Sequence, residues 1–145
     1  MLDDPQARRA GVTARITAET AIDEAMIERL VYAFYDAARD DALLGPVFAS
    51  RITNWDLHLG RMCAFWSSVA LKTGNYHGSP MRAHATLPLD VVHFKNWLAL
   101  WARTAEAMCP PVAAQHFIEI SKRIAESLLL GIAVQKGELP QAMAR

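Results

Sequence analysis

Cysteine is scarce in this 145-residue chain, which holds only Cys63 and Cys109. Two isolated cysteines make neither a disulfide framework nor a four-ligand zinc site. Neither sign of charge prevails: 15 Lys and Arg stand against 15 Asp and Glu. With no clustered basic stretch either, the chain lacks the electrostatic footprint of a protein that binds nucleic acid or anionic lipid. Long hydrophobic runs are missing too. The longest, LLLGIAV at 128–134, is far too short to span a bilayer. The opening segment, polar and mixed in charge, lacks the apolar stretch of a secretory signal. These absences lead us to expect a cytoplasmic protein with reduced thiols, no nucleic-acid partner and no membrane.

Apolar side chains are plentiful. At 52% hydrophobic and 21% charged, the chain has enough of them to offset the entropy of ordering, which excludes intrinsic disorder. Its length fits one core. We expect a flexible leader over residues 1–19, a single domain over 20–137 and a tail over 138–145.

The apolar positions follow a three-four spacing. Ile27, Leu30, Val31, Phe34, Tyr35 and Ala38 form one stripe, preceded by a capping box at Thr20–Asp23. Gly45-Pro46 is expected to stop regular structure. Trp55, His58, Leu59, Met62, Phe65, Trp66 and Val69 form a second stripe, on a helix from about 52 to 72, with a histidine among its apolar members. A loop over 73–78 follows. Ser79-Pro80 opens a helix of barely two turns, cut short before Pro88. Leu89-Asp90 caps the next helix, with Phe94, Trp97, Leu98, Trp101, Ala105 and Met108 inward. Pro110-Pro111 ends it and opens another, carrying Phe117, Ile120, Ile124, Leu128 and Ile132. No alternating segment competes. The fold class is all-α: four substantial helices and one very short one, in a compact helical sandwich.

Familiar catalytic patterns are missing as well. There is no HExxH spacing, no phosphate-binding glycine loop, no carboxylate pair on an apolar face and no cysteine beside a histidine. What remains is an aromatic-rich interior with a few polar groups in it. Tyr35, His58, His84 and Trp97 each lie in or beside an apolar stripe. Such a mixture suits a large, flat, apolar ligand with one coordinating atom at its centre. An imidazole nitrogen is a good ligand for haem iron, and a phenol or an indole N–H can donate to a gas on the opposite side.

A series of short pieces supports this in their joint order and spacing: Phe34-Tyr35, LGPVF at 44–48, WDLH at 55–58, FWS at 65–67, GNYHG at 74–78, PMRAH at 80–84, Leu87-Pro88 and HFKNWL at 93–98. Over roughly 22–133 the chain resembles the truncated, two-over-two haemoglobins of the third group. The resemblance implies a globin-like two-over-two sandwich with a very short proximal (F) helix, and haem b (iron protoporphyrin IX) as cofactor. It matches His84 to the proximal iron ligand, Tyr35 and Trp97 to the distal donors, and His58 to the histidine at the mouth of the distal pocket, thought to gate access. Direct coordination of iron by His58 is the alternative. Met62, bulky and flexible, departs from the pattern one turn beyond His58.

Around that frame, Arg61 is a candidate for a salt bridge to a haem propionate, with Arg82 and Tyr76 as further candidates. Phe48, Phe65, Phe94 and Trp101 read as pocket wall or core, and Trp66 as core. His93, at a helix N-terminus, is the rival iron ligand but reads as a surface or capping residue.

The functional expectation is a haem protein binding O2, NO, CO or cyanide. It would be served by an unidentified reductant and would have a slow-release pocket suited to NO dioxygenase- or peroxidase-like detoxification more than to oxygen transport. The alternative is a haem-free helical interaction module whose aromatic stripe binds a partner helix.

Overall fold

The computed structural model describes residues 4–84 and 89–137. Among these it contains seven helices and no strand. They are α1 (Pro5–Thr20), α2 (Glu24–Asp40), α3 (Leu44–Arg51), α4 (Trp55–Leu71), α5 (Pro80–His84), α6 (Val91–Met108) and α7 (Pro111–Gln135). The fold is all-α, as the apolar periodicity requires.

Helices α2 and α4 pack together, as do α6 and α7; α2 also lies on α6, and α4 on α7. The two-residue link between α6 and α7 turns the chain straight back on itself. The core forms where these four helices meet. Ile27, Leu30, Val31, Phe34, Trp66, Trp101 and Phe117 are all buried there. A smaller cluster, made of Leu89, Phe94, Ala125, Leu128 and Ile132, lies under the short helix α5.

The helix ends are capped by side chains that accept from exposed amides. Asp23 takes the Met26 amide (2.8 Å) and Asn54 the Leu57 amide (3.1 Å). Asp90 and His93 form a reciprocal capping box at the start of α6. His93 is therefore engaged at its Nδ1 as a helix cap, as its position suggested.

Four expectations need correction. Residues 5–20 are not a loose leader but helix α1. Asp4 caps it through the Gln6 amide (3.0 Å) and Pro5 stands in its first turn. Its contact with the core is narrow: Thr13 donates to the Leu71 carbonyl (2.6 Å) and Ile16 packs inward. The Thr20–Asp23 capping box does not form, because Thr20 serves the end of α1. Its hydroxyl donates to the Ile16 carbonyl (2.7 Å) and accepts from the Ile22 amide (3.1 Å), leaving Asp23 to cap α2 alone. Gly45-Pro46 does not stop regular structure but lies in the first turn of α3, where a proline loses no helical hydrogen bond. Asp41 starts that turn by accepting from the Leu43 and Leu44 amides (2.9 Å each). Met108, expected inward, is 41% exposed at the last position of α6. Leu87-Pro88 and the tail at 138–145 lie outside the described residues.

Candidate functional site

Two groups of residues involve α4. The first is a cluster of rings. Tyr35, buried on α2, stands edge-on to Phe48 (5.3 Å between centroids), Trp55 (5.9 Å) and His58 (5.0 Å). Burial pushes the Tyr35 hydroxyl well above the usual phenol range, so it remains a proton donor. Its neighbour Phe34 contacts Trp97 of α6 edge-on at 6.2 Å. Trp97 is half-buried between the main core and the smaller cluster.

His58 is the informative member of this cluster. Its Nε2 is buried and has no hydrogen-bond partner. Orphaned buried polar atoms are rare and call for an explanation. Desolvation, with a smaller contribution from Arg61, lowers the His58 pKa, so the ring is held neutral.

The second is an open cleft of about 430 Å³, inside the range of roughly 300–1,000 Å³ that small-molecule and cofactor sites occupy. Arg61 and Ala64 of α4 form one wall, Asn75–Ser79 the second, and Arg82 and Ala83 of α5 the third. All three residues proposed for the propionates, Arg61, Tyr76 and Arg82, line it. Tyr76 is set by its amide, which donates to Ser68 Oγ (2.7 Å), and by an edge contact with Phe65 at 5.2 Å.

His84 ends α5, beside this cleft. Its Nδ1 lies 2.6 Å from the Pro80 carbonyl. A carbonyl only accepts, so Nδ1 carries a proton, and in the neutral ring Nε2 is the nitrogen with the lone pair. A backbone acceptor that fixes the tautomer is the usual support behind a metal-binding histidine. No partner for Nε2 exists among the described residues. The remaining histidines are placed differently. His116 donates from Nε2 to the Ala70 carbonyl (3.0 Å), and His77 is exposed on the cleft wall.

The other aromatic candidates divide. Phe65 and Met62 are half-buried along α4, and Phe48 reaches Tyr35 from α3. Phe94 is buried in the smaller cluster against which Met81 packs. Trp101 is 1% exposed; it stacks on Trp66 at 4.1 Å and donates from its indole nitrogen to the Phe117 carbonyl (3.4 Å). Its place is the core, not the cleft wall. Trp55 belongs to the ring cluster as well; the sequence placed it on the α4 stripe and in the WDLH piece without a role of its own.

A helical sandwich with a histidine prepared on a very short helix, together with polar groups buried among rings, defines a protein of the globin class. No family model matches the chain. A relative, the group 3 truncated haemoglobin of Campylobacter jejuni, is 33% identical over 85 residues, covering 55% of this chain and 67% of that protein. A crystal structure of a group III truncated haemoglobin from Campylobacter jejuni superposes with a TM-score of 0.70 at 27% identity, covering 74% of this chain and 89% of that one. The chain belongs to the group III truncated haemoglobins.

The family implies a haem cofactor. The residues fit such a group at two points: an imidazole with its free nitrogen set by a backbone bond, and a second imidazole whose buried nitrogen lacks a partner. Among the described residues, no helix is long and apolar enough to cross a membrane.

Proposed function

We propose that this protein binds O2 and other small diatomic ligands at a haem b held by His84, and that it serves the chemical removal of NO or reactive oxygen species. The observation that carries the reading is the His84–Pro80 hydrogen bond, which occupies Nδ1 and leaves Nε2 as the nitrogen that can bind a metal in the neutral ring. Arg61, Tyr76 and Arg82 offer two cations and a hydroxyl to the cofactor's carboxylates. Phe65 and Met62 supply apolar contact along α4. Haem, when bound, supplies a redox-active iron with a vacant position for a gas or for cyanide.

The chain's own part on the distal side is hydrogen bonding. Tyr35 is a donor kept protonated by burial, and Trp97 carries an indole N–H on the facing helix. Fixed donors in a low-dielectric pocket favour a polarised ligand without solvent reorganisation. His58, neutral and short of a partner, stands next to Tyr35 and controls entry. A tightly held ligand suits redox chemistry with an external reductant better than it suits transport.

Two measurements test this. The His84→Ala protein should lose the iron–imidazole stretch from its ferrous resonance Raman spectrum; if the band persists, the ligand is another histidine. Tyr35→Phe and Trp97→Phe should each speed O2 release roughly fivefold, the factor of about 1 kcal/mol for one neutral hydrogen bond. Unchanged rates in both would remove the donors from the account. A protein with no Soret absorption after expression with haem precursors would favour the haem-free interaction module instead.

A further inference from the structure

The ring cluster contains a member that the proposed function does not use. Trp55 is edge-on to both Tyr35 (5.9 Å, 64°) and His58 (5.7 Å, 85°), and Tyr35 and His58 are edge-on to each other. The three rings close a triangle. The Trp55 ring also carries the guanidinium carbon of Arg39, 4.2 Å from its centroid. The indole therefore has a cation on its face and two distal-site rings against it.

The two partners differ in how firmly they are held. Arg39 sits at a locked corner. The Asp41 carboxylate, two residues on, accepts from the Leu43 and Leu44 amides and from Asn96 of α6 (2.8 Å). Gly45 approaches so closely that a Cβ there would lie 2.6 Å from the Arg39 carbonyl oxygen. Trp55, by contrast, is the first residue of α4. Its turn is held through the Asn54 cap to Leu57 and the Asn54 carbonyl to the His58 amide. First-turn residues fray readily, and the amides there have no partner within the helix.

We propose that Arg39 and Trp55 form a shutter on the distal pocket: the guanidinium, carried on a firmly held stretch of backbone, keeps the indole against Tyr35 and His58, and a ligand enters when that stack opens. The inference rests on the distal assignment of Tyr35 and His58. It makes Arg39, exposed and outside the pocket, a positioning residue for ligand entry.

The test is CO association after flash photolysis of the haem-loaded protein, with the C–O stretch recorded by infrared spectroscopy. Arg39→Gln keeps the side chain's length and removes its charge. It should speed CO association about two- to fivefold, the population factor of an exposed cation–π contact, and broaden the C–O band. Arg39→Lys, which restores a cation over the ring, should return both toward wild type. Trp55→Leu should accelerate entry further. In the haem-free protein, Arg39→Gln should shift the Trp55 indole N–H resonance.

An Arg39→Gln protein with wild-type rate and band overturns the shutter, whatever happens to its unfolding midpoint. So does acceleration in Trp55→Leu alone. If Tyr35→Phe speeds O2 release while Arg39→Gln changes nothing, only this inference fails. If the wild-type protein takes up no haem, the distal assignment fails and the shutter with it.

Discussion

The two sides of the candidate haem site are built by different means. The distal side stands on long, capped helices. Tyr35 and Trp97 are joined through Phe34 to Trp101 and Phe117, residues with at most 1% exposure apart from the site rings themselves. The proximal side is a five-residue helix with no buried residue and the loop before it. α5 rests on α7, where Met81 fills the space that a side chain at Gly131 would need. The proposed donor cage is thus a product of folding. The helix that carries the proposed ligand His84 has few apolar contacts of its own, and a bound cofactor stabilises whatever conformation holds it.

That contrast can be broken most directly by a pair of substitutions. Trp101→Ala removes a fully packed indole and should cost about 3–5 kcal/mol in chemical denaturation of the haem-free protein. His84→Ala should stay within about 0.5 kcal/mol of wild type in the same measurement, yet fail to retain haem on gel filtration. Equal losses of stability would erase the distinction.

Ser67 should give a smaller effect, because it joins the two sides. Its buried hydroxyl donates to Glu24 (2.7 Å), shares a bond with Thr73 (2.6 Å) and accepts from Asn75 (3.2 Å). Ser67→Ala should cost about 1–3 kcal/mol by leaving those groups short of partners, and should also speed transfer of haem to an apoprotein acceptor. A stability loss with unchanged transfer would separate the loop from cofactor retention.

The smallest effect concerns pH. His58 is neutral in the folded protein, with its pKa below the ordinary value of 6.5. Above pH 6.5 both folded and unfolded chains leave it unprotonated. As the pH falls below that value, the unfolded chain takes up a proton that the folded one resists, so stability declines. Thermal unfolding between pH 7 and 5 should therefore fall less steeply in His58→Gln than in wild type. Identical slopes would mean that His58 protonates freely in place.

Much of this organisation is legible in the chain. The stripes on α2, α4, α6 and α7 stand out because each helix buries one continuous face. His84, Tyr35, Trp97 and His58 are suggested by motif order and spacing. α1 is hidden because it touches the core through few residues, Thr13 and Ile16 among them, which gives no periodic signal. α3 is masked by Gly45-Pro46, which reads as a break although both residues fit a first helical turn. The Ser67 network and the Asp41–Asn96 bond are invisible for another reason: their partners include residues 43 and 55 positions away, and only the folded topology brings them together.

Three indoles in the core have a practical consequence. Trp66, Trp101 and Trp97 lie nearly parallel, with interplanar angles of 13° and 11° between successive rings, while Trp55 stands apart, edge-on to Tyr35 and His58. Stacked chromophores in a rigid, chiral arrangement are expected to give a near-ultraviolet circular dichroism band that vanishes once the packing loosens. The protein therefore carries its own optical gauge of core order, and replacing Trp55 with phenylalanine would leave that gauge free of signal from the fourth indole.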